Sequence, residues 1–410
     1  MPSHFNPQFF QANRQRLRAS VEGGETIVVI ANGLLQRGGD SAYSFFQDAN
    51  FWYLTGLDEP DLILVMESDA EYLIVPSRDH SRTTFDGAVD EKSMCTRSGI
   101  RQILDTTGGL EKLTANLKKS QKVATVTAAP AYIESMGMFV NPARAYWLKK
   151  LNAAVPNLSC SDISAQIVSL RMIKQPAELT ALQSAINVTL ATIKQATSPA
   201  RLAKYRYEYQ LEAELHRGFR SRGAAGHAFD PIVAGGDRAC TLHNVANNSA
   251  FTPGELVVID IGAEVEHYAA DVTRTVCIGT PSQRARQIHS AVQTVQRFAF
   301  GLLRPGVLLA DFEHKIEQFM GEQLLSLGLI TTNDHDSVRR YFPHATSHFL
   351  GLNVHDAGDY LRPLEPGMVI TVEPGIYIPS ESIGVRIEDD VLITHDGIDI
   401  LSKGLSATLA

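Results

Sequence analysis

Apolar side chains recur at helical spacing across residues 7–21, where Phe9, Phe10 and Leu17 stand among Arg and Gln, and the pattern predicts a helix there. Short β-rich runs follow at 26–31, 62–67 and 71–75. Between them, Phe51-Trp52-Tyr53-Leu54-Thr55-Gly56 sets three aromatics before a glycine, a pattern expected of a strand end packed into a core. Residues 124–127 read as a further strand and 141–151 as a helix, so this first third alternates in the manner of a layered α/β domain. The texture changes at Leu170-Arg171-Met172-Ile173-Lys174-Gln175-Pro176: Pro176 suits the first turn of a helix and Glu178 its positive end. A second domain is expected to begin there, dividing the chain into residues 1–170 and 171–410. Its first helix runs through Leu179, Leu182, Ile186 and Leu190, with a second at 207–219. Strands at 256–261, 271–278, 368–372 and 385–393, parted by helices at 288–303 and 312–327, repeat an order that suggests two related halves.

Composition narrows the classes. A chain of 410 residues with 44% apolar and 20% charged side chains exceeds one comfortable core, which agrees with the division into domains. The net charge of −8 offers no footprint for nucleic acid or an anionic membrane. Cys95, Cys160, Cys240 and Cys277 form no C-x-x-C pair, and neither a signal-like amino terminus nor a spanning apolar stretch is found, so a soluble cytoplasmic protein is expected.

Acids stand where acids are costly. Asp260 interrupts the buried-strand run 256–261, and burying a carboxylate unpaired is unfavourable by several kcal/mol. Asp271 opens the next strand; a hairpin centred near Val265 and Glu266 would set positions 260 and 271 opposite each other on one face. A second hairpin, centred between Ser380 and Glu381, sets Glu373 opposite Glu388. A single acid could be neutralised by Arg274 or Arg386, but four converging carboxylates call for divalent metal, two ions rather than one. Three imidazoles, His344, His348 and His355, fall within twelve residues beyond the second helix pair, and His243 precedes the first hairpin. One histidine alone is more often a core or surface residue; the group favours a site.

The surroundings of these residues, Asp-Ile-Gly at 260, Asp-Val-Thr-Arg-Thr at 271, Ser-His-Phe-Leu-Gly at 347, Thr-Val-Glu-Pro-Gly-Ile-Tyr at 371 and Arg-Ile-Glu-Asp-Asp at 386, resemble those of the pita-bread metallopeptidases, which include methionine aminopeptidase, prolidase and Xaa-Pro aminopeptidase. The first domain, through Phe51-Trp52-Tyr53-Leu54-Thr55-Gly56, looks like that of the aminopeptidase P branch. The resemblance implies an α/β (α+β) protein whose mixed amino-terminal domain precedes a pita-bread catalytic domain. It implies the metal ligands Asp260, Asp271, His348, Glu373 and Glu388, with Asp260 on one ion, His348 and Glu373 on the other, and Asp271 and Glu388 between them. By the same resemblance His243 and His355 support the reacting peptide, His344 lines the proline pocket and Arg386 braces the metal cluster. At Thr84-Phe85-Asp86-Gly87-Ala88-Val89 the chain departs from the Trp-x-Gly-Pro-Arg of many relatives, and after His243 it has Asn-Val-Ala-Asn-Asn where some carry a tyrosine.

The activity expected is metal-dependent hydrolysis of the Xaa-Pro bond at the amino terminus of peptides, by a hydroxide held between two divalent ions, with Glu373 moving the proton. Four hard carboxylates suit manganese, though cobalt, iron and zinc are chemically admissible. Prolidase, restricted to dipeptides, shares every one of these features, and a catalytically silent binding protein of the same fold is the rival from another class. The expected partner is a peptide with proline at its second position, and relatives suggest a homo-oligomer, dimer or tetramer.

Overall fold

The computed structural model describes residues 3–77, 80–127, 133 and 136–409. Two compact units divide the chain, one of Phe5–Leu170 and one that begins at Arg171 and includes His4.

The first unit is a six-stranded mixed sheet with helices around it. Thr26–Ile30 lies near the centre, antiparallel to Ile63–Met66 and parallel to Lys122–Thr125, and the order continues outward to Glu71–Val75 and Gln102–Asp105 on one side and Ser159–Asp162 on the other. Every residue of the two central antiparallel strands is buried, and Val28, Ile30, Val65 and Tyr72 pack with Leu113, Leu117 and Trp147 from neighbouring helices. The aromatic triplet is not a strand end. It lies in the helix Ala49–Thr55, whose start is capped by the Asp48 carboxylate accepting the Phe51 amide at 2.9 Å and whose end is turned by Gly56 at φ 67°. Both residues are helix punctuation, and they outweigh the β preference of adjacent aromatics. Gly56 also lies under Phe10, whose ring a Cβ would meet at 2.4 Å.

The second unit starts with the helix Pro176–Ala196, with proline in the first turn and Glu178 returning its carboxylate to the Gln175 amide. Glu208–Ser221 packs against it, and the antiparallel strands Ile232–Gly235, Leu256–Ile261 and Val272–Cys277 follow. The order then recurs as helices Gln283–Leu302 and Leu309–Ser326, then Val369–Val372, Asp389–Ile393 and Ile398–Ile400 as one sheet, with Gly375–Ile378 and Ile383–Arg386 pairing beside it. Helix pair and sheet thus occur twice.

Two expectations need correction. Asp260 faces Thr273, not Asp271, because the first hairpin turns at Glu266 and His267, both at positive φ, with Val265 paired to Tyr268. The shift is two residues, an even number, so Asp260 and Asp271 remain on one face, diagonal instead of opposite. The run 385–393 is two strands, broken at Ile387 and Glu388, where the Glu388 amide leaves its hairpin and donates to the Thr273 carbonyl at 3.1 Å. No helix among the described residues is long and apolar enough to cross a membrane.

Candidate functional site

The second hairpin carries its register through the break. Val372 pairs with Asp389 and Gly375 with Arg386, which leaves Glu373 across from Glu388 at the one place where ladder pairing lapses. The first hairpin supplies Asp260 and Asp271 from the facing half. Gly262 is obligatory there, since a Cβ would lie 1.6 Å from the Ala270 carbonyl oxygen, next to Asp271. Thr273, on the same face, donates its hydroxyl to the Glu388 carboxylate at 2.6 Å, and the Asp271 amide donates to Asp390 at 3.2 Å.

His348 is set between the halves by its backbone, which exchanges hydrogen bonds with Thr371. Its Nδ1 lies 3.1 Å from the Phe349 carbonyl, an arrangement that assigns the proton to Nδ1 and leaves Nε2 as a lone-pair donor. That Nε2 is 3.5 Å from both Asp271 and Glu373. One ligand atom from each of Asp271, His348 and Glu388 lies within 4.8 Å of the others.

Charge crowding here is severe. Burial, reinforced by Asp260 and Glu313 and only partly offset by His348 and Arg386, pushes the Glu373 carboxyl up to about 7. Burial and the neighbouring carboxylates hold Asp271 and Glu388 well above the usual carboxylate range. Asp260 Oδ1 and Asp271 Oδ1 are buried with no hydrogen-bond partner among the described residues. Orphaned carboxylate oxygens beside a pre-set imidazole nitrogen are what a divalent cation requires, and this donor set fits one.

Arg386 donates to Asp260 at 2.6 Å and to the Tyr377 hydroxyl at 2.8 Å, and that hydroxyl lies 2.8 Å from His344 Nε2. The other His344 nitrogen meets the Ala345 carbonyl at 2.8 Å. With both nitrogens occupied, and burial and Arg386 lowering its pKa to about 3, His344 is a neutral ring. His355 is likewise held neutral, at about 4, by burial and by His348 and His243.

All nine residues expected from the sequence, His243, Asp260, Asp271, His344, His348, His355, Glu373, Arg386 and Glu388, line one cavity of about 520 Å³, whose lining also includes Phe229, Ile232, Leu242 and Tyr360. Asn247 anchors the segment after His243, accepting the Val233 amide and donating to Pro231. Tyr377 and Thr273 were missed by sequence reasoning. Period-two alternation puts Tyr377 on the face of Gly375 and Thr273 on that of Asp271, but it does not say what their hydroxyls touch.

Residues 180–395 match the family model for metallopeptidase family M24, and residues 10–126 that for the aminopeptidase P amino-terminal domain. The chain is 31% identical to Xaa-Pro aminopeptidase of Escherichia coli, over 98% of its own length and 96% of the relative's. It is 34% identical to human Xaa-Pro aminopeptidase 3, over 92% and 78% respectively. Among solved structures, proline aminopeptidase P II from Yersinia pestis superposes with a TM-score of 0.85 at 28% identity, covering 98% of both chains.

Proposed function

We infer, from the premise that the chain belongs to metallopeptidase family M24, that it is a metal-dependent aminopeptidase of the pita-bread fold that hydrolyses the Xaa-Pro bond at the amino terminus of peptides. The observation that carries this reading is the meeting, in one cavity, of crowded carboxylates with orphaned oxygens, a histidine nitrogen preset for a cation, and three further histidines.

We assign Asp260, Asp271, His348, Glu373 and Glu388 as the residues that hold two divalent ions, with manganese the preferred metal for so many hard oxygen donors. Bound there, the ions supply Lewis acidity and bring water within reach of deprotonation near neutral pH. Glu373 accepts the proton of the attacking water and delivers it to the departing proline nitrogen. His355 and His243 stabilise the oxygen that gains charge and the peptide beyond the scissile bond. His344 presents a C–H edge to the proline ring, since both its nitrogens are engaged. Arg386 holds Asp260 in place. We further propose a cytoplasmic homo-oligomer.

The Xaa-Pro aminopeptidase names of the relatives favour this reading over a dipeptidase, and the intact donor set favours it over a silent binding protein. The test is hydrolysis of a Xaa-Pro dipeptide beside a Xaa-Pro-Yaa tripeptide, after chelation and after manganese is restored. Manganese-dependent cleavage of the tripeptide is expected; cleavage of the dipeptide alone would make the protein a prolidase, and cleavage of neither would leave it a binding protein.

A further inference from the structure

We propose that Asp356, clamped by Arg171 and Lys174, is a positioning residue that aims the His355 imidazole into the cavity; this rests on the assignment of His355 to the reacting peptide. The His355 ring lies against His348, centroids 4.3 Å apart at 66°, and no hydrogen bond from a described residue fixes it. Its aim is therefore set by the backbone, and that backbone is organised around the next side chain.

Asp356 is buried, and each of its oxygens is bound. One accepts from Arg171 and, at 3.4 Å, from the Asn353 amide; the other accepts from Lys174 Nζ at 2.9 Å. The three charged side chains are each no more than 3% exposed. The Asp356 amide donates to the Phe349 carbonyl at 2.8 Å, and the Gly351 amide to the Asn353 carbonyl at 3.1 Å, so residues 349–356 wrap around the carboxylate. Gly351 is the point of closest approach: a Cβ there would lie 2.1 Å from the carboxylate and 3.0 Å from Lys174 Nζ.

The cations come from the far side of the sequence, where Lys174 has further anchors outside this loop. Lys174 Nζ also donates to the Arg171 carbonyl at 2.9 Å, and its amide donates to Gly367 at 2.8 Å. A second tether joins the same elements, from the Asp359 amide to the Met172 sulfur at 3.3 Å. Apolar residues of similar volume would stabilise such a spot at least as well as a buried ion cluster, whereas directional bonds from two cations to one carboxylate define where the neighbouring residue points. An imidazole displaced by about 1 Å can lose about 100-fold in rate, so the cluster acts on turnover through His355.

The experiment is a double-mutant cycle of Asp356→Asn and His355→Ala in the manganese-loaded full chain, with kcat, KM and bound metal measured for each. Asp356→Asn is expected to lower kcat by about 10- to 100-fold with KM and metal content nearly unchanged, and to cost nothing more once His355 is alanine. Losses that multiply in the double variant, or normal turnover of Asp356→Asn, would overturn the proposal. Normal turnover of His355→Ala would instead overturn the assignment beneath it. Should Asp356→Asn not fold, Lys174→Met, which keeps the Arg171 pair, carries the same cycle; failure of both to fold would show the cluster to be structural and end the proposal.

Discussion

Glu373 is the residue on which the demands of the site conflict most. It sits half-buried among other acids, and desolvation keeps its carboxyl protonated up to about 7 when no metal is bound. Glu373→Gln preserves size and removes both the proposed metal donor and the proposed proton carrier, so turnover should fall by about 10²- to 10⁴-fold in a protein that still folds. Steady-state kinetics on a variant with verified metal content checks this, and near-normal turnover would assign the proton to another group. The two histidines of the 348–355 segment should part company. His348→Ala deletes the imidazole nitrogen that faces Asp271 and Glu373, and should weaken at least one ion by about 10- to 100-fold, a loss typical even of groups that only support ligands. His355→Ala should keep both ions and lose turnover. Metal titration by calorimetry separates the two, and the opposite pattern would exchange their roles. These residues were legible because acids in apolar strands and clustered histidines have no cheap structural explanation. Tyr377 and Thr273 were not, because a hydroxyl on a strand has many ordinary uses and only the cross-strand register reveals what it touches.

At the level of elements, the outcome turned on where each hairpin bends. The second hairpin was placed correctly from its carboxylates, since Gly375 does face Arg386 and Val372 faces Asp389. The first was misplaced by two residues because its turn uses Glu266 and His267 at φ 48° and 69°, residue types that carry no turn signature. The shared face survived the error, since alternation forgives an even slip. The helix Ala49–Thr55 was lost for the converse reason: Asp48 and Gly56 were present as signals, but the three aromatics drew the reading toward a strand. The strictest backbone demand in the site is at Gly262. Gly262→Ala would place a methyl 1.6 Å from the Ala270 carbonyl, a clash with main chain that no rotamer relieves. The strands must part to admit it, so we expect destabilisation of about 1–3 kcal/mol or more, accompanied by weakened metal binding as Asp271 moves. Denaturant unfolding and metal titration of the variant check both; unchanged metal affinity would show that Asp271 is not held by this close approach.

For the whole molecule, the site is a store of destabilisation that metal removes, and pH exposes it. Glu373 rises from an ordinary 4.5 to about 7 in the metal-free fold, with Asp271 and Glu388 shifted the same way. For an acid whose folded value is raised, the stability it contributes is present below 4.5 and is lost as pH climbs to about 7, because the unfolded chain releases its proton first. Four histidines act oppositely. His227, His289 and His355 lie at about 4 and His344 at about 3, chiefly through burial, so the fold gains stability as pH rises from those values to an ordinary 6.5. The two trends overlap between 4.5 and 6.5, and the parent protein alone would not resolve them. Glu373→Gln does, because it removes one carboxyl and no histidine. In metal-free protein the variant should become progressively more stable relative to the parent from pH 4.5 to 7, by on the order of 3 kcal/mol at the upper end, and no further above it. Manganese at a thousand times its dissociation constant should reverse the order at pH 7, since in our assignment it binds the ionised carboxylate of the parent and would add about 4.1 kcal/mol. Denaturant unfolding of both proteins at pH 4.5, 5.5, 7 and 8, with and without manganese, reads the difference directly. A gap between them that stays constant across that range, or that manganese does not invert, would mean that Glu373 is not the acid on which metal and folding are linked.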